Sequence, residues 1–491
     1  MASEIRVNKI ENRSGLGTVT FADTGVDLAG IVTATTFSGS GASLTSLPAA
    51  QVTGTLPAIS GANLTNLPAA NLTGALPAIS GANLTGIAAT DNVRTGILDV
   101  AGIATFRNDV NIGAAVTISE SGIEASGIGI TVANINGGQI SGRRNKLING
   151  AMAVSQRQTS RTGTGGGSDY YLCDRWRIFS DSTSARFTIS QAADTSGAPG
   201  LPYSFKFDCT TADTSLAAGD YLGLQQKLEG QDVQDFLKGT SDAKEFTLSF
   251  YVKTNKSGVY TVELRDNNNS RTAAKTFTVS DGNWNRYILT FPADTTGALS
   301  NNNNDCLQIN WWLIAGSTYT SGTHNTSSWT SQTNANRVSS SNVNISDSTD
   351  NNWEITGVQL EVGSQATAFE HRSYGEELHL CQRYYEVLVS GNGKTWGGAA
   401  VMYLANQTHH QCTFVEKRST PSLDYVSGSN YYRYYANGTY KQSDTLDQFL
   451  YATTKSAGII ANTLSGNLVS GGAAFSYTNN ACCYVAISAE L

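Results

Sequence analysis

The feature that most constrains how this chain can fold is a tandem repeat close to its N-terminus. Residues 40–59 read SGASLTSLPAAQVTGTLPAI and residues 60–79 read SGANLTNLPAANLTGALPAI, with 15 of the 20 positions identical. A third copy, SGANLTGI, starts at Ser80 and then breaks off. Each copy has few large aliphatic side chains and no aromatic one, so it cannot bury enough apolar area alone to offset its conformational entropy.

The repeats are therefore disordered, stacked on one another, or wound around other copies of the chain. The regular leucine spacing favours the last arrangement, because matching leucines can meet on a three-fold axis. In the second copy these leucines are Leu64, Leu67, Leu72 and Leu76. Prolines at two matching positions of each copy keep the backbone extended and exclude helix. We expect residues 38–95 to form the extended stalk of a homotrimer, in which the stretch 40–87 can span at most ~150 Å.

A different pattern follows over residues 96–144. ILDVAGIATF, DVNIGAAVTI and GIGITVANI are short alternating segments rich in β-branched residues and separated by Gly and Asn. Such segments predict a β-rich shaft whose sheets are completed by neighbouring chains.

Composition excludes several classes of protein. Charged residues make up 14% of the chain, against roughly 25% on average, and 49 residues are Gly. The net charge of −7 offers nothing to attract a phosphate backbone, so a nucleic acid is not an expected partner. The sequence has no apolar run of about 20 residues, so no membrane insertion is expected. Met1–Lys9 carries Glu4, Arg6 and Lys9 and has no apolar segment, so no signal peptide is predicted.

The cysteines do not suggest a cofactor or a metal. There are seven, an odd number, without a C-x-x-C pair, which argues against a disulfide framework or a zinc site. We expect free, mostly buried thiols. His409 and His410 are adjacent and point to opposite faces of a strand, so they cannot readily share a metal ion. The TGTGGGS segment at 162–168 lacks the strand-to-helix context of a phosphate loop, and we expect no cofactor.

Residues 145–372 are the first segment able to hold a hydrophobic core of its own. Alternating segments between turn clusters predict strands at 203–209, 246–254, 258–266, 284–291, 307–314 and 353–362. Together they predict an antiparallel sandwich of the jelly-roll type. One helical stretch is expected around Gln231–Leu237, and the Asn- and Ser-rich tract 322–352 is expected to be a long loop.

Residues 373–491 predict a second, smaller β-sandwich at the C-terminal tip. It opens with GEELHLCQRYYEVL, whose apolar positions fit a short helix or a helix running into a strand. The predicted fold class is thus mostly β: an elongated homotrimer with a repeat stalk, a β shaft, a jelly roll and a tip sandwich.

Several of these segments resemble a known family. EIRVNKIENRSGLGTVTF, the ANLTNLPAANLTG repeats and FRNDVNIGAAVTIS resemble tail fibres of marine phages, particularly cyanophages. RNKLINGAMAVSQRQTS, CDRWRI, FTLSFYVKT, ITGVQLEVGSQATAFEHR and EELHLCQRYYEV resemble a domain common in phage fibres. The resemblance covers nearly the whole chain in order. It implies a trimeric fibre, a carbohydrate-binding jelly roll and a C-terminal head. Within these motifs, Gln359, Glu361, Arg372 and Glu377 are expected to be structural.

Strand alternation selects the first candidate binding site. In 307–314, Leu307, Ile309, Trp311 and Leu313 share one face, which we expect to be core. The other face carries Gln308, Asn310 and Trp312, which suit a sugar because a ring stacks on the apolar face of a pyranose while amides bind its hydroxyls. If the strands are neighbours, Tyr251 and Arg265 line the same surface. The alternative is that this surface packs against another subunit or the tip.

The tyrosine run YYRYY at 431–435 is the second candidate. Tyr432 and Tyr434 share one side, while Tyr431, Arg433 and Tyr435 share the other. One side has to be core, so at most half of these residues can bind a receptor. Nearby Trp396 is a further candidate, since tyrosine and tryptophan give contact area at little entropic cost.

These observations predict a non-enzymatic adhesin that binds bacterial surface glycan, such as lipopolysaccharide or capsule. No triad, G-x-S-x-G or H-E-x-x-H spacing is present, so no catalytic residue is assigned. Residues 1–37 are expected to attach it to a phage tail, a baseplate or an adaptor protein, so the chain belongs to a virion assembled in the host cytoplasm. The alternatives are a tailspike that depolymerises polysaccharide and a purely structural virion component.

Overall fold

A computed structural model of the chain describes residues 9–11, 18–23, 25–28, 30–36, 38–40, 45, 143–193, 198, 200–396, 398–462 and 469–491. The predicted stalk and shaft lie outside the described residues except at their ends. The chain divides into two compact units, Met1–Thr117 and Ile118–Leu491. In the first, β1 (Lys9–Glu11), β2 (Thr18–Ala22) and β3 (Gly25–Leu28) form an antiparallel meander.

The second unit begins with a large β-sandwich. Its strands are β4 (Ser160–Thr164), β5 (Arg177–Asp181), β6 (Arg186–Ala192), β7 (Ser204–Thr211), β8 (Tyr221–Glu229), β9 (Phe246–Thr254), β10 (Gly258–Asp266), β11 (Arg271–Val279), β12 (Asn285–Phe291), β13 (Asp305–Ala315), β14 (Thr330–Ser331) and β15 (Asn352–Val362). Among the described residues they form two six-stranded sheets. The front sheet has the order β14-β11-β10-β13-β8-β5, and the back sheet has the order β12-β9-β15-β7-β6-β4. Every pairing within them is antiparallel.

The core between the two sheets follows the alternation of the sequence. In β13, Leu307, Ile309, Trp311 and Leu313 point into it, as predicted. Phe205 and Phe207 of β7 and Trp353 of β15 come from the opposite sheet and belong to the same core. All six predicted strands are present with ends within two residues of those expected; the mostly β antiparallel sandwich is confirmed and is consistent with a jelly roll.

Two shorter elements also agree with the sequence. The helical stretch expected at Gln231–Leu237 is a 3-10 helix, Gly230–Phe236, which ends where Leu237 adopts a left-handed conformation at φ 51°. The long loop after β13 contains α1 (Ser317–Thr320), the short strand β14 and a 3-10 turn, Asn334–Asn336. It folds back over the front sheet, where Val338 is buried.

A second sandwich follows the helix α2 (Tyr374–Gln382). The Ser373 side chain accepts a hydrogen bond from the backbone of Glu376 and so caps this helix, which runs into β16 as one of the two expected arrangements. The strands of the second sandwich are β16 (Tyr385–Ser390), β17 (Ala400–Leu404), β18 (Gln407–Thr413), β19 (Ser422–Tyr425), β20 (Tyr432–Ala436), β21 (Thr439–Ser443), β22 (Gln448–Leu450), β23 (Ser456–Asn462), β24 (Ala473–Thr478) and β25 (Tyr484–Ser488).

In the described residues, these strands form a three-stranded sheet, β16-β25-β19, and a seven-stranded sheet, β21-β20-β24-β17-β18-β23-β22. Trp396, Tyr432, Ile459 and Val485 are part of the core between them. The domain boundaries inferred from sequence, and the trimer, remain predictions.

The motif residues Gln359, Glu361, Arg372 and Glu377 make internal hydrogen bonds in the large sandwich, as expected of structural residues. Arg372 donates to the backbone oxygens of Asn145 and Leu147, and Glu377 accepts from the backbone of Asn149. Likewise, Gln359 donates to Glu361, whose side chain accepts from Thr367.

The thiols are free and, except for exposed Cys482, buried, as expected. Within the described ranges, no cluster of three or more potential metal ligands occurs. In the same ranges, no helix is long and apolar enough to cross a membrane.

Candidate functional site

The outer face of the front sheet carries rows of side chains that strand pairing places side by side. Arg265 of β10 pairs with Gln308 of β13, which pairs with Lys227 of β8. The neighbouring row, here called the amide row, runs across four strands through Glu263, Asn310, Gln225 and Arg177. In a third row Trp312 lies opposite Gly223, which lies opposite Phe179. Residues paired across neighbouring strands lie about 5 Å apart, so the rows form one continuous surface.

Gly223 makes the third row possible. A Cβ atom there would lie 2.5 Å from the ring of Phe179 and 2.1 Å from the backbone oxygen of Trp311. Without that atom, the ring of Phe179 meets the ring of Trp312 edge to face at 5.1 Å between centroids. This packing gives the surface a rigid aromatic floor.

The long loop after β13 covers this floor. The ring of Tyr319 lies 5.2 Å from that of Trp312, and the guanidinium group of Arg337 lies 4.8 Å from it. Arg337 is held in place by Glu263, whose two carboxylate oxygens accept hydrogen bonds of 2.7 and 2.8 Å. Glu263 also accepts from the indole nitrogen of Trp312 at 3.2 Å.

The amide row forms a connected hydrogen-bond network. Gln225 donates to Asn310 at 2.8 Å and to Gln308 at 3.2 Å, and Asn310 donates to Glu263 at 3.0 Å. At its two edges, Arg177 donates to Gln225 at 3.0 Å and Arg265 donates to Gln308 at 3.3 Å. The amides are therefore fixed by one another, and the arginines extend the network toward solvent.

The charged groups of this surface perturb one another. Burial lowers the pKa of Arg265, and the like charge of Arg337 acts in the same direction. Burial would also lower the pKa of Arg337, but the charge and hydrogen bonds of Glu263 outweigh it and raise that pKa. Burial lowers the pKa of Lys227 despite its ion pair of 3.0 Å with Asp305. A region crowded with positive charge gains free energy when an anion binds.

These rows enclose a cleft of about 240 Å³, here called the front cleft. Sites that enclose drug-sized ligands measure roughly 300–1,000 Å³, so the front cleft suits a small unit such as a sugar ring at a chain end. Half-buried Tyr221 and Tyr319 line its apolar side, with ring centroids 5.4 Å apart. The combination of accessible aromatic rings, fixed amides and guanidinium groups can stack on a ring and donate to its oxygens.

The structure brings together four of the five residues of the first candidate site. Arg265, Gln308, Asn310 and Trp312 all line the front cleft. Tyr251 does not, because β9 belongs to the back sheet, where Tyr251 pairs with Arg286 and Thr356. The prediction that Tyr251 lies beside Trp312 is therefore wrong.

The role assigned to Trp312 also needs correction. The side chain is only 1% exposed, so its face cannot stack on a ligand; Phe179, Tyr319 and Arg337 occupy the space around it. Gln308 and Asn310 are buried as well and support the cleft from below. Tyr221 and Tyr319 hold the accessible position that Trp312 was expected to fill.

The predicted binding residues of the second candidate site are also buried. Tyr432, Tyr434 and Trp396 are each at most 1% exposed and form core contacts of the tip, so they cannot reach a receptor. Their side of β20 is the core side that alternation required. The surface side carries Tyr435, which lies opposite Tyr440 and Phe475 on the adjacent strands. Those two neighbours are 56% and 62% exposed.

Sequence reasoning missed the residues that complete the front cleft: Arg177, Tyr221, Tyr319 and Arg337. β5 and β8 were not among the predicted strands; their register places Tyr221 beside β13 and Arg177 beside Gln225, one strand further out. Tyr319 and Arg337 come from the loop, whose path depends on tertiary packing. The one signal available was the length of the loop itself, which pointed to a possible functional role.

A larger cleft of about 590 Å³ lies where the two sandwiches meet. Its polar groups hold one another: Arg157 lies 3.5 Å from the ring centroid of Tyr385 and donates to Glu490. Tyr385 and Tyr484 both donate to Asp424. These contacts identify the larger cleft as part of the joint between the sandwiches.

Comparisons with known proteins give structural likenesses only. No protein-family model matches the chain. No curated protein matches it at a significant level. A family 4 carbohydrate-binding module is 12% identical over 44% of this chain and 97% of its own, with a TM-score of 0.23. A family 61 module in complex with β-1,4-galactotriose is 11% identical over 45% of this chain and 99% of its own, with a TM-score of 0.22.

A cyclase from Fischerella sp. TAU is similar to the same extent: 12% identical over 45% of this chain and 96% of its own, with a TM-score of 0.25. Because such TM-scores are too low to support an assignment, the fold rests on the strand pairing described above.

Proposed function

We propose that this chain is a homotrimeric bacteriophage tail fibre, of marine or cyanophage-like type, that adsorbs to its host by binding surface glycan in the front cleft. The observation that carries the proposal is the cleft itself. Tyr221 and Tyr319 offer half-buried rings beside the guanidinium groups of Arg177 and Arg265, over amides already fixed by hydrogen bonds. Preorganised side chains lose little entropy when a ligand binds.

The sequence supports the fibre part of the proposal. The repeats at 40–79 need partner chains to bury their leucines, and the motifs quoted above resemble those of phage fibres in the same order. In this account residues 1–37 dock on the tail, the baseplate or an adaptor, and the assembled virion carries the protein outside the cell. Three clefts per trimer and several fibres per particle raise weak single-site affinity through avidity.

We further propose that the protein binds without cleaving. The polysaccharide chain is held for adsorption, and the ligand stays intact. A reducing-sugar assay on polysaccharide incubated with the full chain tests this, and release of new reducing ends would overturn it.

The experiment that tests adsorption uses the full chain, fluorescently labelled, on intact bacteria and on mutants that lack surface polysaccharide. We expect binding to the parents and loss on the polysaccharide-deficient mutants. Equal binding to both, or none to a broad panel of strains, would contradict the proposal. Light scattering checks the trimer separately, since it should give three times the chain mass of 52.0 kDa.

A further inference from the structure

We infer that the front cleft selects an acidic glycan, one whose sugar units carry carboxylate, sulfate or phosphate groups. This inference rests on the proposed glycan-binding function and specifies its ligand. It depends on three observations: the local charge, the use of hydrogen-bonding groups within the cleft, and the placement of the two arginines at its edges.

The charge of the front cleft is opposite to that of the chain. The whole chain has a net charge of −7. Among the described residues, the charged side chains that line the cleft are all basic: Arg177, Lys227, Arg265 and Arg337. The net negative charge of the chain repels anions overall, whereas the local positive charge attracts an anionic ligand to the cleft.

Two of these basic groups are neutralised by carboxylates, and two are not. Arg337 pairs with Glu263 at 2.7 Å and Lys227 pairs with Asp305 at 3.0 Å. In the described part of the chain, neither Arg177 nor Arg265 has a carboxylate within 4.0 Å, and their bonds go to neutral Gln225, Gln308 and Gln332. The cleft therefore keeps about two positive charges that an incoming anion can neutralise.

The hydrogen bonds within the cleft also favour an acidic ligand. The amide oxygens of Gln225, Gln308 and Asn310 each accept from a neighbour inside the network, and both N–H groups of Gln225 are donated. The three amides are also buried, so few of their remaining acceptor sites can reach the hydroxyl donors of a neutral sugar. The spare groups are N–H donors of Arg177 and Arg265, and guanidinium groups bind carboxylate or phosphate oxygens with shorter and stronger bonds than neutral acceptors.

The two arginines also hold suitable positions. Arg265 lies on β10 and Arg177 on β5, separated by β13 and β8, so the amides of Gln308, Asn310 and Gln225 lie between them. Both line the same cleft, with Tyr221 and Tyr319 at its apolar side. A sugar ring resting on the tyrosines can therefore present an acidic group to either arginine.

The test measures binding of the full chain to immobilised polysaccharides that differ in charge. Polygalacturonate supplies carboxylates, dextran sulfate supplies sulfates, a teichoic acid supplies phosphates, and dextran and galactan are neutral. The variants are Arg177→Gln and Arg265→Gln, which remove the charge but keep a polar, shorter side chain. Arg286→Gln is the matched control, because Arg286 is an exposed arginine on β12 of the back sheet.

We expect at least one acidic polymer to bind about tenfold more tightly than the neutral ones, which corresponds to ~1.4 kcal/mol. Each cleft variant should remove most of that preference, Arg286→Gln should keep it, and added salt should weaken it in the wild type. The wild-type salt series keeps the test decisive even if a variant folds poorly. Which acidic polymer wins identifies the group as carboxylate, sulfate or phosphate.

The two possible failures are distinguishable. If neutral polymers bind as tightly as acidic ones and the cleft variants lower both equally, the cleft binds glycan without charge selection and the inference is wrong. If acidic polymers bind but Arg286→Gln lowers binding as much as the cleft variants, the attraction is not specific to the cleft. If none of a wide set of glycans binds, the proposed function itself fails.

Discussion

Glu229, the last residue of β8, accepts two hydrogen bonds from the guanidinium group of Arg383, each 2.8 Å long. Arg383 follows α2 directly, so this pair joins the large sandwich to the segment that leads into the tip. The hydroxyl of Tyr384 donates to the same carboxylate at 2.5 Å, and Glu229 is fully buried. Gln231 donates a fourth hydrogen bond to Glu229, at 2.7 Å, so the tip is anchored through a desolvated charge that accepts four hydrogen bonds.

Removing that charge should destabilise the protein. Breaking a buried ion pair leaves the other partner without compensation, so Glu229→Gln should lower the free energy of unfolding by about 2–4 kcal/mol, as measured in guanidinium chloride. The matched control is Glu416→Gln, because Glu416 is 58% exposed where it pairs with Lys455. An exposed pair contributes roughly 0–1 kcal/mol, so equal losses in the two variants would argue against the anchor.

Trp312 and Tyr319 should separate stability from binding. Trp312→Ala removes a buried ring and should cost about 3–5 kcal/mol of unfolding free energy. Tyr319→Ala removes a half-buried ring on the ligand side, and we expect a small change in stability with an affinity loss of about tenfold, since stacking contributes roughly 1 kcal/mol or more. Tyr374→Ala, at a residue 61% exposed on α2, is the control for binding. A Tyr319→Ala variant that keeps full affinity would remove this ring from the site.

Asp174 gives a prediction about pH. Burial raises the pKa of its carboxyl group from 3.8 to about 6, although Arg157 and hydrogen bonds from Gln156 act against the rise. The folded state thus binds the proton more tightly than the unfolded chain. This contribution to stability is complete below about pH 4 and is lost as the pH rises to about 6, a change of roughly 3 kcal/mol.

Asp174→Asn removes that titration. The difference in unfolding free energy, wild type minus Asp174→Asn, should therefore fall as the pH rises from 4 to 7. Groups common to both proteins cancel in this difference. Exposed Asp181→Asn is the control for the loss of a carboxyl group at the surface. A difference for Asp174→Asn that does not change with pH would contradict the raised pKa.

Much of the fold followed from local alternation. The inward side chains of β13 were expected, and the passage from α2 into β16 was one of two expected arrangements, because a two-residue period and a run of apolar helix positions are local properties. The predicted alternation of side chains in the YYRYY run was also right, because Tyr432 and Tyr434 lie on the same side of the strand. Which side of the strand faces the core depends on the elements that pack against it. The sequence of a single segment does not contain that information.

The candidate site was harder to predict for the same reason. Alternation placed Trp312 on the outer face correctly, but the loop then buries it beneath Tyr319 and Arg337, the latter 25 residues later in the chain. Arg177 joins the site through the pairing of β5 with β8, which is a long-range register. The sequence could locate the face of the cleft, whereas its accessible residues were set by tertiary contacts.

We propose that the front cleft is where the glycan binds. The most direct test is the affinity of the full chain for surface polysaccharide extracted from a bacterium that it binds, compared between the wild type and the double variant Tyr319→Ala/Arg265→Gln. Arg286→Gln serves as the control for the loss of an arginine outside the cleft. We expect a loss of affinity of about 100-fold in the double variant, since the free energies of two roughly tenfold effects add, and no loss in the control. Unchanged affinity in a folded double variant would place the receptor site elsewhere on the molecule.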